Sequence, residues 1–417
     1  MLAFFLLLLQ FYWGNTWHIR YQPLAQRGGG SVWCEGQREL MDNDTVFWVG
    51  LSRIEGLGVR GIHKLVSHFG SPKAAYMASL TELEGSGLPA AVCQSVFSQA
   101  GLKEAEKEIE AAAKAGCQLI DFENPVYPSL LRQIADPPLV LYVKGDVQVL
   151  SGHCLAIVGS RRPSAYGLQV ARRLARDLAE RNLVIVSGLA RGIDSAAHHG
   201  ALEGKGKTIA VQGRGMDGIY PKENRRLAEK ILESGAVISE FPLGTGPTPE
   251  NFPIRNRVIS GLSLGVMVVE ASEYSGSLIT ARLATEHSRE VYAVPGNITS
   301  AQSFGPNHLI KQGAKLVGEW MDVVEEFPPE VRMQLLPFGE ASDDGRGIES
   351  TSKLFGESLT EEQKKVFEAL RVDEALFVDA ILDSVPLPQT QVMQVLLELE
   401  MNGLVRQLPG KNFIRKL

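Results

Sequence analysis

Leu155-Ala-Ile-Val-Gly-Ser-Arg161 and Leu183-Val-Ile-Val-Ser-Gly-Leu-Ala190 decide how this chain is read. Each is a short apolar run, rich in β-branched residues, that stops at a Gly/Ser pair and restarts with the spacing of an amphipathic helix. An α/β sheet presents backbone N–H groups to an anion at such a turn. The alternation continues outward, with strands expected near 155–159, 183–187, 207–211, 236–239, 265–270 and 290–294 and helices between them. That pattern predicts a doubly wound, mostly parallel sheet with ligands at the carboxyl ends of its strands. The unusual polar clusters fall at those ends: Gly159-Ser-Arg161, Ser187-Gly188, Gly213-Arg-Gly215, Ser239-Glu240, Glu270 with Ser275-Gly-Ser277, and Pro295-Gly296.

A chain of 417 residues with 44% hydrophobic and 22% charged residues is globular and long enough for two or three cores. Cys34, Cys93, Cys117 and Cys154 form no CxxC pair. That argues against a zinc site or a disulfide scaffold and suits a reducing, cytoplasmic setting. The net charge of −6 is unevenly spread: residues 151–300 carry 18 Lys+Arg against 14 Asp+Glu, the remainder 24 against 34. A mildly basic centre between acidic flanks permits polyanion binding without proving it.

The flanks read as further domains. Residues 1–40 are expected to be a non-native or disordered extension. The alternative is an export or anchor signal, although the apolar run Met1–Leu9 is too short to span a bilayer and no basic segment precedes it. Residues 41–120 read as short helices in a helix-hairpin-helix (SAM-like) domain. Its glycine turns, in Ile54–Leu65 and Leu83–Ala90, either offer N–H groups to phosphate or cap a plain bundle. Gln118–Phe122 reads as a strand. Asn124–Gly145, rich in proline, reads as a linker with one edge strand. A Rossmann-like domain is expected over 121–327 and a linker over 328–357. At 358–417 three helices and a hairpin around Pro409-Gly-Lys411 suggest a winged helix with few basic residues for reading a groove.

The centre carries, in order, Val158-Gly-Ser-Arg161, Ser187-Gly-Leu-Ala-Arg-Gly-Ile-Asp-Ser-Ala-Ala-His198, Tyr220-Pro-Lys-Glu-Asn224, Phe252-Pro-Ile-Arg-Asn-Arg-Val-Ile-Ser-Gly261, Ser275-Gly-Ser-Leu-Ile-Thr280 and Val294-Pro-Gly296. With these motifs it resembles the bacterial DNA processing protein A family (DprA, or Smf). The resemblance implies an extended Rossmann domain, a helical N-terminal domain and a C-terminal winged helix. It also implies a non-enzymatic single-stranded DNA binding protein that protects incoming strands in natural transformation and loads the RecA recombinase onto them. No cofactor is implied, a homodimer is, and Ile310 and Leu316 match the family's self-association region. A phosphoribohydrolase-like enzyme is the alternative. Those enzymes use a Pro-Gly-Gly-x-Gly-Thr loop where this chain has Ser275-Gly-Ser-Leu-Ile-Thr280.

The candidate DNA contacts follow. Gly159 and Ser160 let backbone N–H groups approach a phosphate, and Arg161 adds a planar charged fork. Ser187 and Gly188 end the next strand. Lys222 matches the family lysine and supplies a second phosphate contact across the groove, while Asn224 fixes its loop or touches a base edge. Tyr220 and Arg225 either stack on unpaired bases or pack and face solvent. Arg255, Asn256 and Arg257 open a helix and either reach a phosphate or tie two loops together. Ser275-Gly-Ser277 and Thr280 hold a phosphate or merely cap a helix. Asp194 and His198, four residues apart, are expected to cap the turn and to pack against the sheet rather than to form an acid/base pair. Arg214 departs from the family's small or apolar residue and either reinforces the groove or points away.

Overall fold

A computed structural model describes residues 44–335, 360–371, 375–401, 404–408 and 410–415. The extension expected over 1–40 and most of the stretch 328–357 lie outside them. Six helices come first: α1 (Thr45–Ser52), α2 (Val59–Phe69), α3 (Pro72–Met77), α4 (Leu80–Gly85), α5 (Ala90–Phe97) and α6 (Leu102–Lys114). Local chemistry punctuates them. Gly70 ends α2 in the left-handed region, and Ser79 with Glu82 forms a reciprocal capping box at α4. Their apolar faces close over Trp48, Phe47, Leu65 and Leu83, and the same cluster takes in Leu139 and Val140.

The chain continues through β1 (Gln118–Asp121), α7 (Ser129–Arg132), β2 (Val140–Gly145), β3 (Cys154–Val158), α8 (Ala165–Ala179), β4 (Val184–Ser187), α9 (Ile193–Glu203) and β5 (Thr208–Val211). There follow α10 (Arg225–Ile231), β6 (Ala236–Ser239), α11 (Asn251–Leu262), β7 (Gly265–Val268), α12 (Gly276–Glu286), β8 (Glu290–Ala293), α13 (Phe304–Lys311), β9 (Lys315–Leu316), α14 (Met321–Val324) and α15 (Pro329–Leu335). The nine strands form one sheet in the order β1-β2-β6-β5-β4-β3-β7-β8-β9. From β6 to β9 all pairs are parallel. Both faces of the parallel part are covered, which explains the unbroken apolar runs. Along β3, Ala156 and Val158 enter the cluster that contains Val258, Ile259 and Leu262 of α11, while Leu155 and Ile157 enter the one that contains Leu174 and Leu178 of α8. The chain steps from β3 outward to β6 and then crosses back to β7, so strand order reverses between β3 and β7. Doubly wound folds bind ligands at that reversal.

Two sequence expectations need correction here. The passage 124–145 is not a linker with an edge strand: β2 is interior, pairing antiparallel with β1 on one side and β6 on the other. Its prolines precede the strand, so none removes a ladder hydrogen bond. The first residues of the expected linker form α15, whose Val331 and Leu335 are buried in the sheet's second core.

The C-terminal part has α16 (Glu361–Ala369), β10 (Leu376–Phe377), α17 (Val378–Ser384), α18 (Gln389–Met401), β11 (Val405–Leu408) and β12 (Asn412–Arg415). The sheet runs β10-β12-β11, so a two-residue strand completes the expected hairpin. Val366, Ile381, Val392, Leu396 and Phe413 form its separate core.

Candidate nucleic-acid interface

A cleft of about 510 Å³ opens at the β3/β7 reversal. Its first wall is the turn after β3. The Ser160 N–H donates to the Glu270 carbonyl at 2.6 Å, the Ile193 N–H donates to the Ser160 carbonyl at 3.2 Å, and the Ser160 Oγ accepts from the Arg162 N–H at 3.1 Å. Only glycine fits at 159, because a Cβ there would lie 2.7 Å from Ile193 and 2.8 Å from the Glu270 carbonyl. A Cβ on Gly192, at φ +80°, would come even closer to the Ser160 carbonyl oxygen. A turn pinned at both ends leaves Arg161 to project outward.

The Arg161 guanidinium lies 5.4 Å over the Phe252 ring, and Phe252 is 5.6 Å from the exposed Tyr220 ring. Lys222 follows Pro221 in a single exposed 3₁₀ turn, Lys222–Asn224. The Asn224 amide holds that turn by donating to the Leu189 carbonyl at 2.7 Å and the Ser195 Oγ at 2.9 Å. Arg161 and Lys222 have no carboxylate partner among the described residues. Of the other cations nearby, Arg191 is engaged by Glu223 and Arg225 by Glu229. Two unpaired cations flanking an aromatic pair form a surface for phosphates and bases. Phe252 was not singled out from sequence, although an aromatic residue directly before Pro253-Ile-Arg255 was the available signal.

Several expected contacts face inward. Ser187 is fully buried and its hydroxyl donates to the Ile157 carbonyl at 2.6 Å. Gly188 gives its N–H to the Asp194 carboxylate and its carbonyl to Arg255. The Ser160 N–H is spent on Glu270, so it is not offered to a phosphate. Arg255, Asn256 and Arg257 do not open a helix; they lie in the second turn of α11. Arg255 is buried and donates to the Gly188 and Val211 carbonyls at 2.7 and 2.5 Å, tying the ends of β4 and β5 together. Burial lowers its pKa to about 10, with Asp194 opposing the fall. Asn256 accepts from Arg255 Nε and its Nδ2 reaches the Gly276 carbonyl at 3.5 Å. Arg257 is held by Asp136 and Glu240, away from the cleft. Burial raises the Glu240 carboxyl to about 7, helped by Asp136 and opposed by Arg257. Arg214 is occupied within its own turn, by Asp217 and the Gly215 carbonyl.

Asp194 caps the turn after β4, accepting from Gly188 and Ala190. His198 is fully buried, and its Nδ1 is 2.7 Å from the Thr208 Oγ1, which itself donates to the Ile185 carbonyl. That leaves Nδ1 as the donor. Burial first, then His199 and Arg255, lower its pKa to about 3. The Glu270 carboxylate accepts from the Ser164 N–H and Oγ at 2.8 and 2.6 Å, fixing the first turn of α8. Ile310 is half-buried on α13, and Leu316 is 48% exposed on β9, at the edge of the sheet.

The family described as DNA recombination-mediator protein A matches residues 118–328, and the DprA winged helix domain matches residues 356–411. The chain belongs to the DNA processing protein A family. It is 43% identical to protein Smf of Escherichia coli over 294 residues, covering 70% of this chain and 76% of that protein. It is 45% identical to DNA processing protein DprA of Bacillus subtilis over 231 residues, 55% of this chain and 78% of the relative. The crystal structure of DNA processing protein A from Streptococcus pneumoniae superimposes with a TM-score of 0.60 at 38% identity, covering 68% of this chain and 98% of that one. Among the described residues no helix is long and apolar enough to cross a membrane.

Proposed function

We propose that this chain binds single-stranded DNA along the Arg161–Phe252–Tyr220–Lys222 surface and acts in DNA processing. The observation that carries the reading is the pair of exposed cations without carboxylate partners among the described residues, set around an aromatic platform at the carboxyl ends of the parallel strands. Arg161 and Lys222 contact phosphates. Phe252 and Tyr220 offer ring faces that only unpaired bases can stack on, which selects single strands over duplex. Gly159, Ser160, Asn224 and Arg255 position these groups rather than touch DNA. Membership of the family supports the same role, and with it protection of incoming strands, loading of RecA, a cytoplasmic setting and self-association through Ile310 and Leu316.

The enzyme alternative would use a carboxylate in the cleft. Asp194, the one carboxylate lining the cleft, is held by the Gly188 and Ala190 N–H groups, and Glu270, which does not line it, by the Ser164 N–H and Oγ. That favours binding over catalysis. The test is the binding of a fluorescent oligothymidylate at several salt concentrations. Tighter binding than to a duplex of equal length, weakened by Arg161→Ala and by Lys222→Ala, supports the reading. Binding unchanged in both variants overturns it. For the partner, co-sedimentation of RecA with the chain on a single strand, lost without the chain, supports loading.

A further inference from the structure

The side of the cleft formed by α12 is not needed for the strand surface just described, yet it is built to receive a ligand. Ser275, Gly276 and Ser277 bring the N-terminus of this 11-residue helix to the cleft, with the Ser275 Oγ 2.8 Å from the Ser277 Oγ. One turn further, Thr280 lines the cleft, is 98% buried, and has no hydrogen-bond partner for its hydroxyl among the described residues. Across from it the Gln302 Oε1 is enclosed without a partner. A native interior satisfies its polar groups, so an enclosed Gln302 oxygen without a partner, in the same cleft that the unpartnered Thr280 hydroxyl faces, points to something that binds there. The charge is explicit. Arg161 and Arg162 stand on the opposite wall and Arg255 lies beneath, whereas the one carboxylate lining the cleft, Asp194, is already capped by two N–H groups. A helix N-terminus beside arginines selects an anion. The volume exceeds what a bare phosphate fills and falls in the range of small organic ligands.

We propose that α12, with Ser277 and Thr280, forms a pocket for the phosphomonoester of a nucleoside. A monoester can end inside the cleft with its terminal oxygens at the helix, whereas an internal diester has chain leaving on both sides and lies along the rim. The ester comes either from the terminal phosphate of a DNA strand or from a free nucleoside monophosphate. The first source rests on the single-strand reading above and the second does not.

The experiment uses the full chain. Anisotropy of a labelled oligothymidylate is compared for 5′-phosphate, 3′-phosphate and hydroxyl ends, and thermal melting is followed with dTMP or thymidine. The expected result is at least threefold tighter binding of a phosphorylated end, a higher melting temperature with dTMP but not thymidine, or both. Preference only for strand ends assigns the first source, and dTMP stabilisation without end preference the second. Thr280→Val keeps the side-chain shape and should erase the preference. If its melting shows a fold defect, Ser277→Ala decides instead. No discrimination by the wild type in either assay, or discrimination that survives both substitutions, overturns the pocket. Loss of the hydroxyl-ended strand would instead count against the Arg161 and Lys222 surface, which keeps the two failures apart.

Discussion

The rim and the floor of the cleft carry the same kind of side chain for opposite purposes. On the rim, Arg161 and Lys222 reach solvent without an acid among the described residues to answer them. On the floor, Arg255 is sealed under backbone carbonyls, and farther along the same helix, away from the cleft, Arg257 is locked between two carboxylates. Guanidinium chemistry does not decide which role an arginine takes. Position relative to the strand ends does: a residue in a pinned turn is pushed outward, and one on the inner face of α11 must satisfy orphan carbonyls.

The sharpest way to break this contrast is to remove the floor. Arg255→Met should cost about 3–5 kcal/mol, the range for deleting one partner of a buried charged network, and should do so without DNA present. Urea unfolding checks it, and a loss under 1 kcal/mol would make Arg255 a rim-like residue. Gly188→Ala probes the same joint from the other side. Its Cβ would lie 2.7 Å from the Arg255 guanidinium, so the expected loss is about 1–3 kcal/mol.

The buried His198 behind the joint gives a pH signature. Its pKa falls to about 3 in the folded chain from an ordinary 6.5. Between those values the unfolded chain binds a proton that the folded one refuses. Stability is therefore lost as pH falls below 6.5 towards 3, at about 1.4 kcal/mol per pH unit from this group. His198→Asn should reduce that slope in melts run from pH 7 to pH 4. Smallest of all on stability are the rim changes. Arg161→Ala and Lys222→Ala should stay within about 0.5 kcal/mol of the parent. Yet each should lower the slope of log affinity against log salt by about 1. A rim variant that unfolds, or a floor variant that only loses DNA, would reverse the comparison.

Six of the seven parallel strands, all but the two-residue β9, were legible to within two residues, because strands covered on both faces read as continuous Val/Ile/Leu runs. The reversal between β3 and β7 placed the cleft where the polar turns had pointed. Ser187 misled because a hydroxyl at a strand end looks the same in sequence whether it faces a ligand or bonds the next strand's carbonyl. Gly188 and Arg255 misled together, since each satisfies the other across 67 residues. The interior place of β2, read as an edge strand, was hidden because its partner β6 lies about a hundred residues on, and β10 was missed because a two-residue strand has no period to read.

The antiparallel pairing of β2 along β6 makes residues 44–145 a shield as well as a neighbour. Strand β6 would otherwise show a bare row of N–H and C=O groups. The helical region is fastened over it by the Thr45 hydroxyl on Asp121 and by Glu108 accepting from the Leu243 N–H. A fragment trimmed to begin at β3, however complete its cleft, would carry a sticky open seam. It should grow into strand-paired aggregates in light scattering while the whole chain does not.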